Sequence, residues 1–174
     1  MIDGILEQND FIDPQTYDVL LSDINHVLLI GEISELLAVP YLSPVKVPME
    51  PWKTDTLTGI LYGLNMRPMI NLVVSSKRFK KDINVIFMVD TSSPHMFLCE
   101  RAMEELGFSD NVPQSFEILF RGMAFPASLT PKIMPDGRAG QFKDVNLIGS
   151  SFLTKSRALL LADYGNNEIS ITFR

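Results

Sequence analysis

The run Val85-Ile86-Phe87-Met88-Val89 constrains the fold most, because it stops abruptly at Asp90-Thr91-Ser92-Ser93-Pro94-His95. Uninterrupted apolar residues over this length read as a strand covered on both faces. Asp90 then sits where the strand leaves the core. A carboxylate there is poorly solvated unless something hydrogen-bonds it, so it is either well partnered or chemically employed.

The chain has 174 residues, enough for one domain, alone or with an extension. An apolar fraction of 46% supplies a real core and excludes wholesale disorder. A formal charge of −6 excludes a general nucleic-acid binder, which would carry a basic face. One cysteine excludes an internal disulfide and fits a reducing compartment. Two histidines and that cysteine are too few for a zinc site without carboxylates, so no metal and no cofactor are expected. The start Met1-Ile2-Asp3-Gly4 lacks a basic presequence, which points to an intracellular, cytoplasmic protein. The most apolar stretch, 19–41, carries Asp23, His26, Glu32 and Glu35 and is no membrane span.

Along the chain, Asp13-Pro14 reads as a helix start. Leu20, Leu21, Ile24, Val27 and Leu28 share one side of an amphipathic helix of about three turns over 18–28, with His26 on its solvated side. A second short helix is expected over 32–38, so residues 1–40 form a helical extension. Pro40, Pro44, Pro48 and Pro51 make 41–67 an extended linker or arm, with Trp52 available to lie along the following domain. Strands follow at 69–74 and 83–89, joined by a polar turn whose Lys77, Arg78, Lys80 and Lys81 read as a solvated tip. Ser93-Pro94 opens a helix expected to reach Gly107, with Cys99 a small core residue on its apolar stripe. Residues 116–120 and 123–129 form a hairpin about Arg121-Gly122, 131–140 a loop, and 144–149 a short strand stopped by glycine. A helical turn from Ser150 or Ser151 and a hairpin of 158–162 with 168–173 complete the chain.

The order from residue 68 to 174 resembles the retropepsin-like aspartic proteases. Phe87-Met88-Val89-Asp90-Thr91-Ser92-Ser93 is similar to that family's apolar-apolar-Asp-Thr-Gly-Ser turn, with Ser92 in place of the glycine. Asn146-Leu147-Ile148-Gly149 before Ser151-Phe152-Leu153 resembles its second apolar-Gly motif, and Leu160-Leu161-Ala162-Asp163-Tyr164 its closing hairpin. The resemblance implies a mostly β fold, a closed-barrel half-unit of the acid-protease type. It implies a C2 homodimer in which Asp90 pairs with its symmetry mate to activate a water on a polypeptide substrate. Thr91 would tie the two turns together, and Leu147, Ile148 and Gly149 would pack behind them. Arg121 and Gly122 would belong to a flap over the peptide, and interleaved terminal strands would put Ile169 to Phe173 at the dimer interface. Glycine in the turn admits close backbone approach, so Ser92 is the position on which catalysis depends. Three roles for Asp90 stay open: half of a catalytic pair in an endopeptidase, a relic in a degenerate dimerisation or scaffold module, or a simple helix-capping carboxylate.

Overall fold

The computed structural model describes residues 13–45, 55–76, 78–108 and 112–174. Strands β1 (Thr56–Tyr62), β2 (Arg67–Ser76) and β3 (Lys81–Val89) open the β structure. The β2–β3 hairpin pairs antiparallel from Met69 with Met88 to Ser76 with Lys81. Its apolar run is buried as the sequence requires: Ile83, Val85, Ile86 and Phe87 are 0% exposed. Full burial of each such side chain contributes about 1.5–3 kcal/mol relative to exposure.

Next come β4 (Phe97–Leu98), β5 (Ser115–Phe120), β6 (Met123–Leu129) and β7 (Asn146–Ile148). The short β7 lies parallel to β3, with Val89 beside Ile148. From β7 the pairing runs through β4, β6 and β5 and returns to β2 at Ser75–Leu119, closing a six-stranded barrel. The expected mostly β, closed-barrel architecture is therefore present. Strands β8 (Leu159–Asp163) and β9 (Glu168–Thr172) form the terminal hairpin, and β9 pairs with β1. The order β2-β1-β9-β8 is thus an open extension of the barrel ending at β8. Helices are few and short: α1 (His26–Ile30), α2 (Glu32–Leu36), α3 (Glu100–Glu105) and α4 (Ser150–Lys155).

Residues 18–25 are not helical, although their apolar spacing fits a helix. Asp18 and Asp23 bind partners far away in sequence, the first at Gln141 and the second at Arg67 and Asn65, and these bonds hold the backbone away from helical geometry. Helix formation begins only where Asn25 caps α1 by accepting from the Leu28 N–H. The helix expected from Pro94 is also shortened. Phe97 and Leu98 pair with β6 and β7 instead, and α3 begins two residues later. His26 is half-buried against the Tyr41 ring rather than solvated, and burial lowers its pKa.

Strand β1 lies inside the stretch expected as an arm. Residues 42–45 also join the barrel: Leu42 N–H donates to Asn84 O, Asn84 N–H to Ser43 O and Val45 N–H to Asp82 O. Trp52 lies outside the described residues, as does Lys77 of the basic tip. No helix among the described residues is long and apolar enough to cross a membrane.

Candidate active-site turn

The end of β3 is fixed by its parallel neighbour. Asp90 N–H donates to Ile148 O at 2.9 Å, continuing the β3–β7 ladder by one residue. The chain then turns, and Ser93 N–H donates back to Asp90 O at 3.1 Å. Gly149 lies against the returning strand of the turn. A Cβ there would stand 2.1 Å from His95 O and 2.5 Å from Ser93 O, so only glycine fits. Ser150 seals the crossing from the other side, its N–H donating to Ser93 O at 2.7 Å. Leu147, Ile148 and Gly149 therefore sit directly behind the Asp90 turn.

Within the turn, Asp90 Oδ1 accepts from Ser92 N–H at 3.0 Å and from Ser92 Oγ–H at 2.6 Å. Ser92 is not among the residues with a positive φ, so its side chain imposes no backbone strain. Its hydroxyl gives the carboxylate an additional donor that glycine would lack. Thr91 and Ser92 are exposed and Asp90 is half-buried, so the carboxylate stands at the barrel rim with one side toward solvent.

The second carboxylate oxygen has a partner that the sequence did not disclose. Tyr17 O–H, from the segment before α1, donates to Asp90 Oδ2 at 2.5 Å and lies 3.4 Å from Ser92 Oγ. Burial, reinforced by the bond to Asp90, pushes the Tyr17 phenol up to about 12. Its ring stacks on Phe97 at 5.6 Å and meets Phe142 edge-on at 5.9 Å. With Oδ1 held by Ser92, Asp90 is a preoriented carboxylate whose remaining lone pairs could serve as a base once the phenol is withdrawn.

Arg121 and Gly122 are not brought to this site. Strand β6 reaches the level of the turn at Ser128, paired with Phe97, and Met123 next to the hairpin turn is five residues away. At about 3.3 Å per residue that is roughly 17 Å along the strand. Arg121 stacks over Phe173 at the opposite end of the barrel, 4.4 Å from the ring centroid, so this hairpin does not lie over Asp90 as a flap. Cys99 is 1% exposed and burial raises its pKa, consistent with a core residue and not a nucleophile. Among the described residues, no group of three or more His, Cys, Asp or Glu side chains is placed to hold a metal ion.

A closed, mostly β barrel with an aspartate oriented on the turn that leaves β3, beside the parallel strand β7, is the class of molecule these features define. Among solved structures, the crystal structure of a retropepsin-like aspartic protease from Rickettsia conorii overlays on 70% of this chain and 96% of its own. The TM-score is 0.40 and the identity 18%, an overlap too slight to bear on activity. No family model and no curated protein matches the sequence.

Proposed function

We propose that this chain is a retropepsin-like aspartic endopeptidase that works as a C2 homodimer. The carrying observation is the Asp90 turn, with one carboxylate oxygen held by Ser92, the backbone pinned to Ile148 and the side chain at the rim. Asp90 of each copy supplies half of the pair, and two carboxyls that close share one proton. The ionised member takes a proton from water as the water oxygen attacks the scissile carbonyl carbon. The protonated member hydrogen-bonds the carbonyl oxygen as negative charge develops there. Collapse of the tetrahedral adduct returns a proton to the leaving nitrogen. In this reading Thr91, exposed on the same turn, bonds across the axis, and Leu147-Ile148-Gly149 keeps the turn from relaxing backward.

The open edge of β8 supports pairing of two copies. Leu159 and Leu161 are 48% and 62% exposed on the terminal strand of the sheet, an apolar edge of the kind that natural proteins cover. A peptide library incubated with the protein between about pH 4 and 7, where a shared-proton pair operates, tests the reading. Cleavage should be blocked by a statine-type inhibitor and abolished by Asp90→Asn with dimerisation retained. A protein that is monomeric at every concentration, or cleavage indifferent to Asp90→Asn, overturns it.

A second reading, a non-catalytic dimerisation or scaffold module, is favoured by the Tyr17 hydroxyl already filling Asp90 Oδ2. A dimer that cleaves nothing across that range, even as Tyr17→Ala, would establish that reading instead.

A further inference from the structure

Tyr17 does not reach Asp90 as part of a packed element. The three-residue 3₁₀ turn before it, Pro14–Thr16, buries no residue, and Thr16 and Leu20 on either side of the contact are exposed. Tyr17 itself is extended, at φ −76° and ψ 127°. With half-buried Val19 packed beside them, two consecutive side chains, Tyr17 and Asp18, make the segment's polar contacts.

Each of these side chains has a receptor built for it. The Tyr17 ring lies in a slot whose walls, Phe97 and Phe142, are 0% and 1% exposed beneath it and pack on each other at 5.3 Å. The slot opens toward Asp90, so an aromatic side chain seated there delivers its edge to the carboxylate. Asp18 faces a notch on the loop between β6 and β7, and its side chain is only 8% exposed. Its Oδ1 accepts from Gln141 N–H at 3.0 Å, and its Oδ2 from Gln141 Nε2 at 3.2 Å and Arg138 Nη1 at 3.4 Å. Arg138, Gln141 and Phe142 belong to one loop, so the slot and the notch come as a unit.

We propose that the segment about Tyr17-Asp18 is a built-in plug, and that the slot and notch beneath it take, as competing ligands, extended peptides in which an aromatic residue is followed by an acidic one. The inference rests on the reading of Asp90 as the working carboxylate, and it supplies the class of peptide that blocks it. Tyr17 meets Asp90 through its side-chain hydroxyl, so the segment fills the space over the carboxylate that the scissile bond and water of a substrate need, with its two side chains seated in defined receptors. Tethered, it competes at an effective concentration on the order of millimolar. Free peptide therefore binds the wild-type protein weakly, and loosening the tethered segment reveals the site.

The test uses the full chain and a fluorescent peptide with this segment's own sequence, Pro-Gln-Thr-Tyr-Asp-Val-Leu, followed by anisotropy. Tyr17→Ala should bind it at least tenfold more tightly than wild type. Tyr17→Phe, which keeps the ring and loses only the bond to Asp90, should gain less than Tyr17→Ala but still about tenfold or more, as expected for one hydrogen bond to a charged group. Replacing the peptide's tyrosine by alanine should abolish binding, and replacing its aspartate by asparagine should weaken it severalfold. Should Tyr17→Ala lose its cooperative thermal transition, Tyr17→Phe decides the matter alone. Folded variants that bind no peptide, or that bind the tyrosine and alanine peptides equally, overturn the proposal. Peptide binding by a Tyr17→Ala protein that cleaves no library peptide sinks the endopeptidase reading and leaves the slot standing, whereas library turnover that the bound tyrosine peptide does not inhibit sinks the plug alone.

Discussion

Replacing Asn146 by leucine should cost a large part of the protein's stability. Asn146 is 0% exposed and joins three parts of the molecule. Its Nδ2 donates to Tyr41 Oη at 2.7 Å and to Ile86 O at 3.0 Å, while its Oδ1 accepts from Cys99 N–H at 2.9 Å. Leucine fills nearly the same volume but satisfies none of these groups. The Cys99 N–H is orphaned outright, and a buried unsatisfied group costs about 1–3 kcal/mol. The Ile86 carbonyl and the Tyr41 hydroxyl each lose a donor, and the hydroxyl lies 3.5 Å from Cys99 Sγ as its remaining neighbour. Together the loss is about 3–5 kcal/mol, against a typical total of about 5–15 kcal/mol. Urea unfolding followed by far-UV circular dichroism measures it as a lower midpoint with an unchanged slope. Tyr41→Phe removes only one of the three bonds and should cost about 1 kcal/mol. The reasoning fails if Asn146→Leu stays within about 1 kcal/mol of wild type, or if Tyr41→Phe proves the more damaging of the two.

Gly149→Ala places a methyl 2.1 Å from His95 O, against backbone that cannot swing aside, and should destabilise by at least about 3 kcal/mol while displacing the Asp90 turn; a denaturation midpoint near wild type would contradict this. The Tyr17 phenol is raised from 10.0 to about 12, so its contribution to stability is fully present below about pH 10 and is lost as pH rises through about 12. Melting temperatures across that window should therefore fall less steeply for Tyr17→Phe than for wild type. Leu161→Lys at the β8 edge should weaken self-association at least tenfold in sedimentation equilibrium, and because Leu161 is 62% exposed the monomer's stability should change by no more than about 0.5 kcal/mol.

The strands were legible wherever burial on both faces wrote itself as a continuous apolar run, as at Val85 to Val89, or where a turn residue separated two β-rich runs, as around Arg121-Gly122. Local spacing misled where distant partners outbid it. Residues 18–25 carry a helical pattern, yet Asp23 is committed to Arg67 and Asn65, and Asp18 to the loop at Gln141. Phe97 and Leu98 fit a helix after Pro94, but the barrel needs them to bridge β6 and β7. At the site, Asp90 stood out because a carboxylate ending an apolar run demands a partner. Tyr17, 73 residues earlier, could not have been found, since nothing in its neighbourhood marks a tyrosine that closes on a distant acid. The flap assignment failed for a related reason: a sequence shows that a hairpin exists, but only the register of its strands shows which end of the barrel it caps.

The anchoring of the N-terminal segment carries a kinetic consequence. Beyond Asp18 the segment stays fastened by the buried side chains of Leu21 and Ile24, by Asp23 to Arg67 and by the buried Tyr41 to Asn146. A release that frees only the part before Leu21 leaves it attached and able to return. Opening and reclosing are then first-order events with rates independent of protein concentration, whereas the meeting of two copies is second order. Dilution would slow the second step and leave the first untouched, so the concentration dependence of any lag before cleavage identifies which event gates it.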